Sequence, residues 1–233
     1  MFAFMHPIEM LRAVARSRRA PPGELAAEAA WGLAALAEEE PAAVVPACRR
    51  LLERQPACGP LWWLSARVLV AGDPASEAER CATLLIDDPT PNVLHASVLA
   101  GGQSPALRVV RHGGVGEVAS ADIVVIEVDA ISAHSMVLSS SRRGLLQAAV
   151  AAGTPVWVES GVGRLLPAKL WTALASRLVE PDGAPRIDLG YSLEPTDCIE
   201  LVVGPTGTTL RDELATEVAA VDCPEPPELT APW

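Results

Sequence analysis

The sequence predicts an α/β fold in which an N-terminal helical domain is followed by a Rossmann-like, mostly parallel sheet domain. The main observation is a pair of apolar, β-branched runs, at residues 123–126 and 155–158, separated by a run with apolar residues at helical spacing. Neither strand run has a polar break, which is typical of parallel strands covered on both faces. Gly153 follows the helical run as a stop signal. Strand, helix and strand in this order predict a βαβ unit.

The first third of the chain has a different pattern. Five amphipathic stretches between residues 8 and 86 carry apolar residues three and four positions apart, and prolines precede several of them. The segment Asp-Asp-Pro-Thr-Pro at residues 87–91 then interrupts the helical pattern. We therefore predict a helical domain at residues 1–88, a Rossmann-like α/β domain at residues 89–222 and a Pro/Glu-rich tail at residues 223–233.

The other elements of the sheet domain are predicted from shorter runs. Residues 92–99 and 107–111 are expected to form its first two strands, and residues 198–203 its last buried strand. Helices are predicted at residues 165–178 and 210–221, the second capped by Thr208 or Thr209. Residues 180–195 are rich in proline, glycine and aspartate, which predicts an irregular connection.

Composition excludes several classes of protein. The chain of 233 residues has a formal net charge of −11, which repels nucleic-acid phosphates, and its longest apolar run is too short to cross a bilayer. The five cysteines form no C-x-x-C pair, so we expect neither a zinc site nor a disulfide framework. The start of the chain lacks the pattern of a secretion signal. We expect a cytoplasmic protein without a metal or cofactor.

Two acidic residues follow the first strand of the βαβ unit. Glu127 and Asp129 stand at its carboxyl end, where open α/β sheets bind ligands. Asp129 is therefore a candidate catalytic residue, and Glu127 a candidate ligand-binding residue. An aspartate at this place is also typical of a turn that it stabilises by hydrogen bonds to the following amides. Both interpretations of Asp129 are open.

A second group of candidates lies at the start of the helix of the βαβ unit and in a glycine-rich segment that precedes its strand at residues 123–126. Hydroxyl and guanidinium groups at a helix N-terminus favour anion binding, but a serine there also caps the helix, and arginines also pair with carboxylates. The glycine-rich segment predicts either a phosphate loop or only a turn. The candidate residues are Ser139, Ser140, Ser141, Arg142, Arg143, His112 and Gly113.

Several motifs carry a resemblance to a known family. The segment Asp-Ile-Val-Val-Ile, the turn Asp-Ala-Ile, the segment Gly-Thr-Pro-Val-Trp-Val and the segment Leu-Leu-Pro occur in this order between residues 122 and 167. Together they resemble the family of the translation initiation factor 2B regulatory subunits, methylthioribose-1-phosphate isomerase and ribose-1,5-bisphosphate isomerase. The resemblance implies a small helical domain before the sheet domain, and assembly into a homodimer or larger oligomer through the sheet domain.

The resemblance also implies where a family member would carry its chemistry. Asp129 matches the aspartate of the family's Gly-Ala-Asp turn, and Ser97 stands where the isomerases have a cysteine. The family's Asn-Lys-x-Gly-Thr phosphate segment aligns with residues 139–143, where the amide and the lysine are lost. Only a short segment separates Arg111 from Ala121, so a βα unit is expected to be missing. These departures predict a degenerate, shortened member without isomerase activity.

The expected function is therefore binding rather than catalysis. We expect a phosphorylated metabolite, such as a sugar phosphate or a nucleotide, or a protein partner. One alternative is an active sugar-phosphate isomerase or related enzyme, with Asp129 as the general base, Ser97 at the cysteine position, and Arg142 and Arg143 holding the phosphate. The other alternative is a purely structural subunit of an assembly.

Overall fold

The first part of the chain folds as helices. The computed structural model describes residues 6–17, 20–101, 108–111, 115–180, 184, 186 and 189–231. Prolines start several of these helices, and the Asp73 carboxylate accepts a hydrogen bond from the Ser76 amide at the start of the fifth. The predicted helical N-terminal region is confirmed. Its five helices are α1 (Pro7–Arg16), α2 (Pro22–Glu39), α3 (Val44–Arg54), α4 (Gly59–Val70) and α5 (Pro74–Ile86).

A sixth helix, α6 (Thr90–Gly101), replaces the strand predicted at residues 92–99. The Asp88 carboxylate accepts a hydrogen bond from the Thr90 amide at 2.9 Å, and Pro91 occupies the first turn, so the start of the segment has helix signals. The prediction was wrong because a short apolar run has no clear period, and length and flanking residues must then decide between strand and helix.

The main sheet has five strands in the order β1-β2-β5-β7-β8. The first four are parallel, and the last two form an antiparallel hairpin. The predicted mostly parallel sheet is confirmed. Its strands are β1 (Val109–Val110), β2 (Ile123–Glu127), β5 (Val156–Glu159), β7 (Leu201–Gly204) and β8 (Gly207–Leu210).

A second, antiparallel sheet stands beside it and was not predicted. It consists of β3 (Ala130–Ile131), β4 (Ser135–Ser139) and β6 (Tyr191–Pro195), in the order β3-β4-β6. The end of the stretch predicted to be irregular, residues 180–195, is thus a strand. Most of its turn-forming residues precede residue 191, and Pro195 stands at the end of the strand, whereas Tyr191 and Leu193 alternate with polar residues as a half-buried strand requires.

The remaining helices are α7 (Val115–Val118), α8 (Ser140–Ala152), α9 (Ala168–Ala175), α10 (Leu214–Ala220) and α11 (Pro227–Thr230). Of these, α7, α8 and α10 pack on the main sheet, and α9 and α11 pack with the N-terminal helices. The predicted helix at 210–221 is shorter than expected, because residues 207–210 pair with β7 as a hairpin strand instead of capping a helix. The predicted tail is not a detached extension, since Cys223 and Leu229 are buried in the core of the N-terminal helices.

One core is shared between the two halves of the chain. Ala130, Val137, Leu170 and Leu174 are buried in the same cluster as the residues of the N-terminal helices. A second cluster lies between one face of the main sheet and α8 and α10, and a third, formed with Leu94 of α6, covers the opposite face. The division at residue 88 stays a prediction. None of the helices in the described part of the chain is long and apolar enough to cross a membrane.

The helical region approaches the sheet region most closely at α4. A Cβ atom on Gly59 would lie 2.7 Å from the Asp129 carbonyl oxygen, and the Gly59 amide donates a hydrogen bond to this oxygen at 3.0 Å. Gly163, with φ of 75°, lies where a Cβ would be 3.1 Å from the Pro60 Cα. Glycine at both positions brings the start of α4 against the end of β2, where the candidate site residues lie.

Candidate functional site

Asp129 lies in the connection between β2 and β3. Its amide donates to the Val137 carbonyl at 3.0 Å and its carbonyl accepts from the Gly59 amide, so the backbone is held by both sheet and helix. The side chain is 4% exposed. Its two carboxylate oxygens each lie 3.3 Å from Nη1 of Arg142, which reaches them from the first turn of α8. The structure thus brings two of the sequence-predicted residues together.

Glu127, Asp129, Arg142 and Arg164 form an ionic cluster at the carboxyl end of β2. Glu127 accepts from Nη2 of Arg142, and its other oxygen accepts from Nη2 of Arg164 at 2.6 Å. Arg164 also donates to the Val128 carbonyl at 2.6 Å. Two carboxylates and two guanidinium groups therefore balance in charge, as buried charges require. Sequence reasoning missed Arg164, because it lies in a loop 35 positions after Asp129.

Burial controls the protonation of Asp129. Removal of the carboxylate from water raises the pKa of Asp129 to about 6, although the charges of Arg142 and Arg164 act in the opposite direction. The negative charge of Glu127 adds a smaller increase. The Asp129 carboxyl group therefore exchanges its proton close to neutral pH.

The start of α8 is occupied by contacts within the chain. The Ser140 amide and hydroxyl both donate to the Gly190 carbonyl at 3.0 Å, and the hydroxyls of Ser139 and Ser141 lie 3.2 Å apart. Nε of Arg143 lies 2.9 Å from a carboxylate oxygen of Glu194. With Arg142 in the ionic cluster, both predicted arginines have carboxylate partners. This geometry favours the structural alternative for these residues over an anion site.

Other sequence-predicted residues lie elsewhere. Ser97 was placed at the end of a strand, but it lies on α6, and its hydroxyl donates to the Val93 carbonyl of the same helix at 2.8 Å. It lines neither the ionic cluster nor the cavity described below. The placement at a strand end is therefore wrong, because the segment is helical. His112 and Gly113 lie outside the described residues.

A cavity of about 1150 Å³ opens between the N-terminal helices and Asp129, and we call it the main cavity. Apolar side chains such as Leu11 and Leu51 form part of its wall. Cys58, Asp129 and Tyr191 line its inner end. Four arginines from α1 and α3 also line it: Arg12, Arg16, Arg50 and Arg54.

These arginines differ in their pairing. Arg12 bonds to Glu9 and Arg50 to Glu53, each within its own helix and exposed. Neither Arg16 nor Arg54 has a carboxylate within ion-pair distance among the described residues. Sequence reasoning missed all four, although their spacing is a signal. Each pair is four positions apart, which places both guanidinium groups on one helix face.

The inner end of the main cavity has little acid–base capacity of its own. Burial raises the pKa of the Cys58 thiol to about 12. Burial also raises the pKa of Tyr191, and the charges of Asp129 and Cys58 raise it further. Both groups are therefore neutral at pH 7, which leaves Asp129 as the titrating group here. In the described part of the chain, no cluster of three histidine, cysteine, aspartate or glutamate residues has a geometry that holds a metal ion.

The fold matches several solved structures. No protein-family model and no curated protein sequence matches the chain. One chain of a tetrameric complex of initiation factor 2B, with two beta and two delta subunits, from Chaetomium thermophilum matches with a TM-score of 0.68 and 13% identity. The match covers 91% of this chain and 93% of that chain. Initiation factor 2B from Pyrococcus horikoshii OT3 matches with a TM-score of 0.64, 12% identity, and coverage of 88% and 96%.

An isomerase matches as well. The structure of 5-methylthioribose 1-phosphate isomerase from Pyrococcus horikoshii OT3 has a TM-score of 0.53 at 13% identity, with coverage of 91% of this chain and 86% of that one. The predictions of a degenerate and shortened member stay predictions. The chain therefore has the fold that initiation factor 2B subunits share with methylthioribose-1-phosphate isomerase.

Proposed function

We propose that this protein is a non-catalytic relative of the initiation factor 2B subunits that binds a phosphorylated metabolite, a sugar phosphate or a nucleotide, in the main cavity. One observation carries the proposal: two pairs of arginines line a single cavity whose inner end holds Asp129 and Tyr191. A guanidinium group matches the geometry of phosphate oxygens. The hydroxyl groups of a sugar would lie toward the polar inner end.

The electrostatics of the chain support this location. The formal net charge of the protein is −11, so a wall with four arginines is a local exception to an acidic molecule. A cavity of about 1150 Å³ is slightly larger than most small-molecule sites, which measure about 300–1,000 Å³, so a sugar phosphate or a nucleotide would fit in it. The arginines of α8 are a weaker candidate, because an anion there would displace Glu127, Asp129 or Glu194 from them.

The chemistry at the inner end supports binding without turnover. An aldose–ketose isomerisation needs two groups that exchange protons with the sugar carbons near neutral pH. Among the described residues at the inner end of the main cavity, only Asp129 titrates near this range, because the Cys58 thiol has a pKa of about 12 and burial raises the pKa of Tyr191. We expect no turnover of methylthioribose 1-phosphate or ribose 1,5-bisphosphate above the rate without enzyme. Turnover that is lost in Asp129→Asn would instead favour the alternative of an active isomerase.

Binding is tested with arginine variants and isothermal calorimetry. Ribose 5-phosphate, glucose 6-phosphate and adenosine monophosphate are titrated into the wild type, into Arg16→Ala/Arg54→Ala, and into Arg108→Ala/Arg211→Ala. The second pair is the control, because Arg108 and Arg211 are exposed and do not line the main cavity. We expect the cavity variant to lose about 1.5–3 kcal/mol of binding free energy per charge-assisted hydrogen bond removed, and the control to lose none. Equal affinity in both variants would contradict the proposed site.

Assembly with a protein partner is the second candidate function. The structure of the beta and delta subunits of initiation factor 2B, which has this fold, is a tetramer. In this chain, large apolar side chains of the sheet region are exposed, with Leu99 at 65% and Leu210 at 52% exposure. On this basis we expect a homodimer or larger oligomer through the sheet region. Light scattering on the purified chain at micromolar concentration tests it, and a monomer would contradict it.

All five cysteines are free thiols, which is consistent with the reducing cytoplasm expected from the sequence.

A further inference from the structure

Asp129 lines the same cavity as the four arginines, and this places a titrating acid in the proposed anion site. The groups that face it come from five elements. Arg142 reaches it from α8, Arg164 from the loop after β5 and Glu127 from β2, while Tyr191 of β6 and Cys58 before α4 lie on its cavity side. Cys58 and Tyr191 line the same cavity as Asp129, and the charge of Asp129 raises the pKa of both.

Asp129 makes longer contacts with the arginines of the ionic cluster than Glu127 does. Glu127 receives a short hydrogen bond from each arginine, whereas Asp129 has only contacts of 3.3 Å to Arg142. Charge-assisted N–H···O bonds are shorter than this, at about 2.7–2.9 Å. Since Glu127 takes the stronger contacts, the arginines can satisfy it alone. A proton on Asp129 therefore leaves the hydrogen bonds of Glu127 in place, and the cluster then has one excess positive charge.

We propose that anion binding in the main cavity is coupled to the uptake of a proton by Asp129. This inference rests on the proposed function. An anion that neutralises the cavity arginines removes positive potential from the inner end of the cavity and adds negative charge near a buried carboxylate. Both effects favour the protonated carboxyl group. By linkage, a proton on Asp129 strengthens anion binding by the same factor.

The protonated group also has a direct use. A carboxylate can only accept hydrogen bonds, whereas the neutral carboxyl group has one O–H donor. With the neutral Tyr191 hydroxyl group, it presents hydrogen-bond donors at the inner end to the oxygens of a ligand, whereas the Cys58 thiol donates to the Pro22 carbonyl. In the protein without a bound anion, Asp129 has a pKa of about 6, so its carboxyl group is mostly ionised at neutral pH. It therefore takes up the proton at this pH mainly when the anion binds.

Sulfate is the appropriate probe, because it remains fully ionised across the pH range in which phosphate itself titrates. Its affinity is measured by calorimetry at half-unit steps between pH 5.5 and 8. For the wild type we expect affinity to fall as the pH rises, by up to about tenfold per unit above pH 6, which is the slope for one coupled proton. Asp129→Asn should bind sulfate more tightly than the wild type at pH 8, with affinity independent of pH. Asp212→Asn, an exposed acid outside the cavity, is the matched control and should behave as the wild type.

A second measurement needs no variant. The binding enthalpy of sulfate at pH 7, measured in two buffers of different ionisation enthalpy, gives the number of protons taken up, and we expect about one. Binding with no proton uptake and the same affinity at all pH values would overturn the coupling and leave the proposed function standing. No binding of sulfate or of the phosphorylated metabolites at any pH would contradict the proposed function itself, and the coupling with it.

Discussion

Two regions of this molecule combine Asp129 with arginines, the ionic cluster and the main cavity, and they differ in what the arginines contact. In the ionic cluster, the side chains of Arg142 and Arg164 are 26% and 9% exposed and bond to carboxylates of the chain. In the main cavity, Arg16 and Arg54 are exposed and have no such partner among the described residues. Arginines at the carboxyl end of a strand therefore do not by themselves make an anion site. Their pairing decides whether they hold the fold or remain available to a ligand.

The largest expected effect comes from Arg164. Arg164→Ala removes a buried partner of Glu127 and the hydrogen bond to the Val128 carbonyl. Breaking a buried ion pair by removing one partner costs about 3–5 kcal/mol of the free energy of unfolding. Urea denaturation measures this loss. Arg54→Ala, in the cavity, is the matched control and should change stability by less than about 0.5 kcal/mol. Similar losses in both variants would remove the distinction between the two regions.

Asp129 should give the ionic cluster a pH dependence that the cavity arginines do not have. Its pKa is raised in the folded state from 3.8 to about 6, so the folded protein binds more protons than the unfolded chain between these values. The stability that Asp129 contributes is therefore fully present below about pH 4 and is lost as the pH rises through 6. We expect the wild type to lose roughly 2–3 kcal/mol relative to Asp129→Asn over this range, with no further change above pH 7.

This dependence is measured by denaturant unfolding of both proteins at each pH. The difference between wild type and variant isolates Asp129, because the other carboxylates titrate in both proteins. A difference that stays constant from pH 4 to 7 would show that the arginines of the cluster compensate the burial of the carboxylate.

A smaller effect is expected at the contact between α4 and the site. Gly59→Ala places a Cβ 2.7 Å from the Asp129 carbonyl oxygen and 2.9 Å from the Ala130 Cβ, so the backbone must shift. Overpacking of this kind costs about 1–3 kcal/mol of the free energy of unfolding. Gly144→Ala is the matched control, since nothing lies within 4 Å of its added Cβ and it is within α8.

The control should behave in the opposite way. Alanine in a helix interior is more favourable than glycine by about 0.5–1 kcal/mol, so Gly144→Ala should raise the thermal midpoint. If Gly59→Ala is as stable as the wild type, the approach of α4 to β2 is looser than the structure indicates, and the inner end of the main cavity is less rigid.

The parts of the fold that the sequence predicted are those with long or uninterrupted patterns. The run at 123–126 and the helix before Gly153 are clear because burial on both faces leaves no polar break. The strand predicted at 92–99 was wrong because eight residues without a period fit either element. The small antiparallel sheet was missed because its short strands depend on partners far along the chain, such as β6 beside β4.

The candidate site could be predicted only in part for the same reason. Glu127, Asp129 and Arg142 lie close in sequence, between the end of β2 and the first turn of α8, and the structure brings them together. Arg164, Cys58 and the arginines of α1 and α3 reach the same place from other elements, and no local pattern connects them to Asp129. The functional roles of all these residues stay proposals.

The most direct test of the account is a crystal structure of the protein soaked with ribose 5-phosphate. We expect the phosphate in the main cavity, within hydrogen-bond distance of Arg16 and Arg54, with the sugar toward Asp129 and the ionic cluster unchanged. A phosphate bound instead at the start of α8, with Arg142 or Arg143 detached from its carboxylate partner, would contradict it.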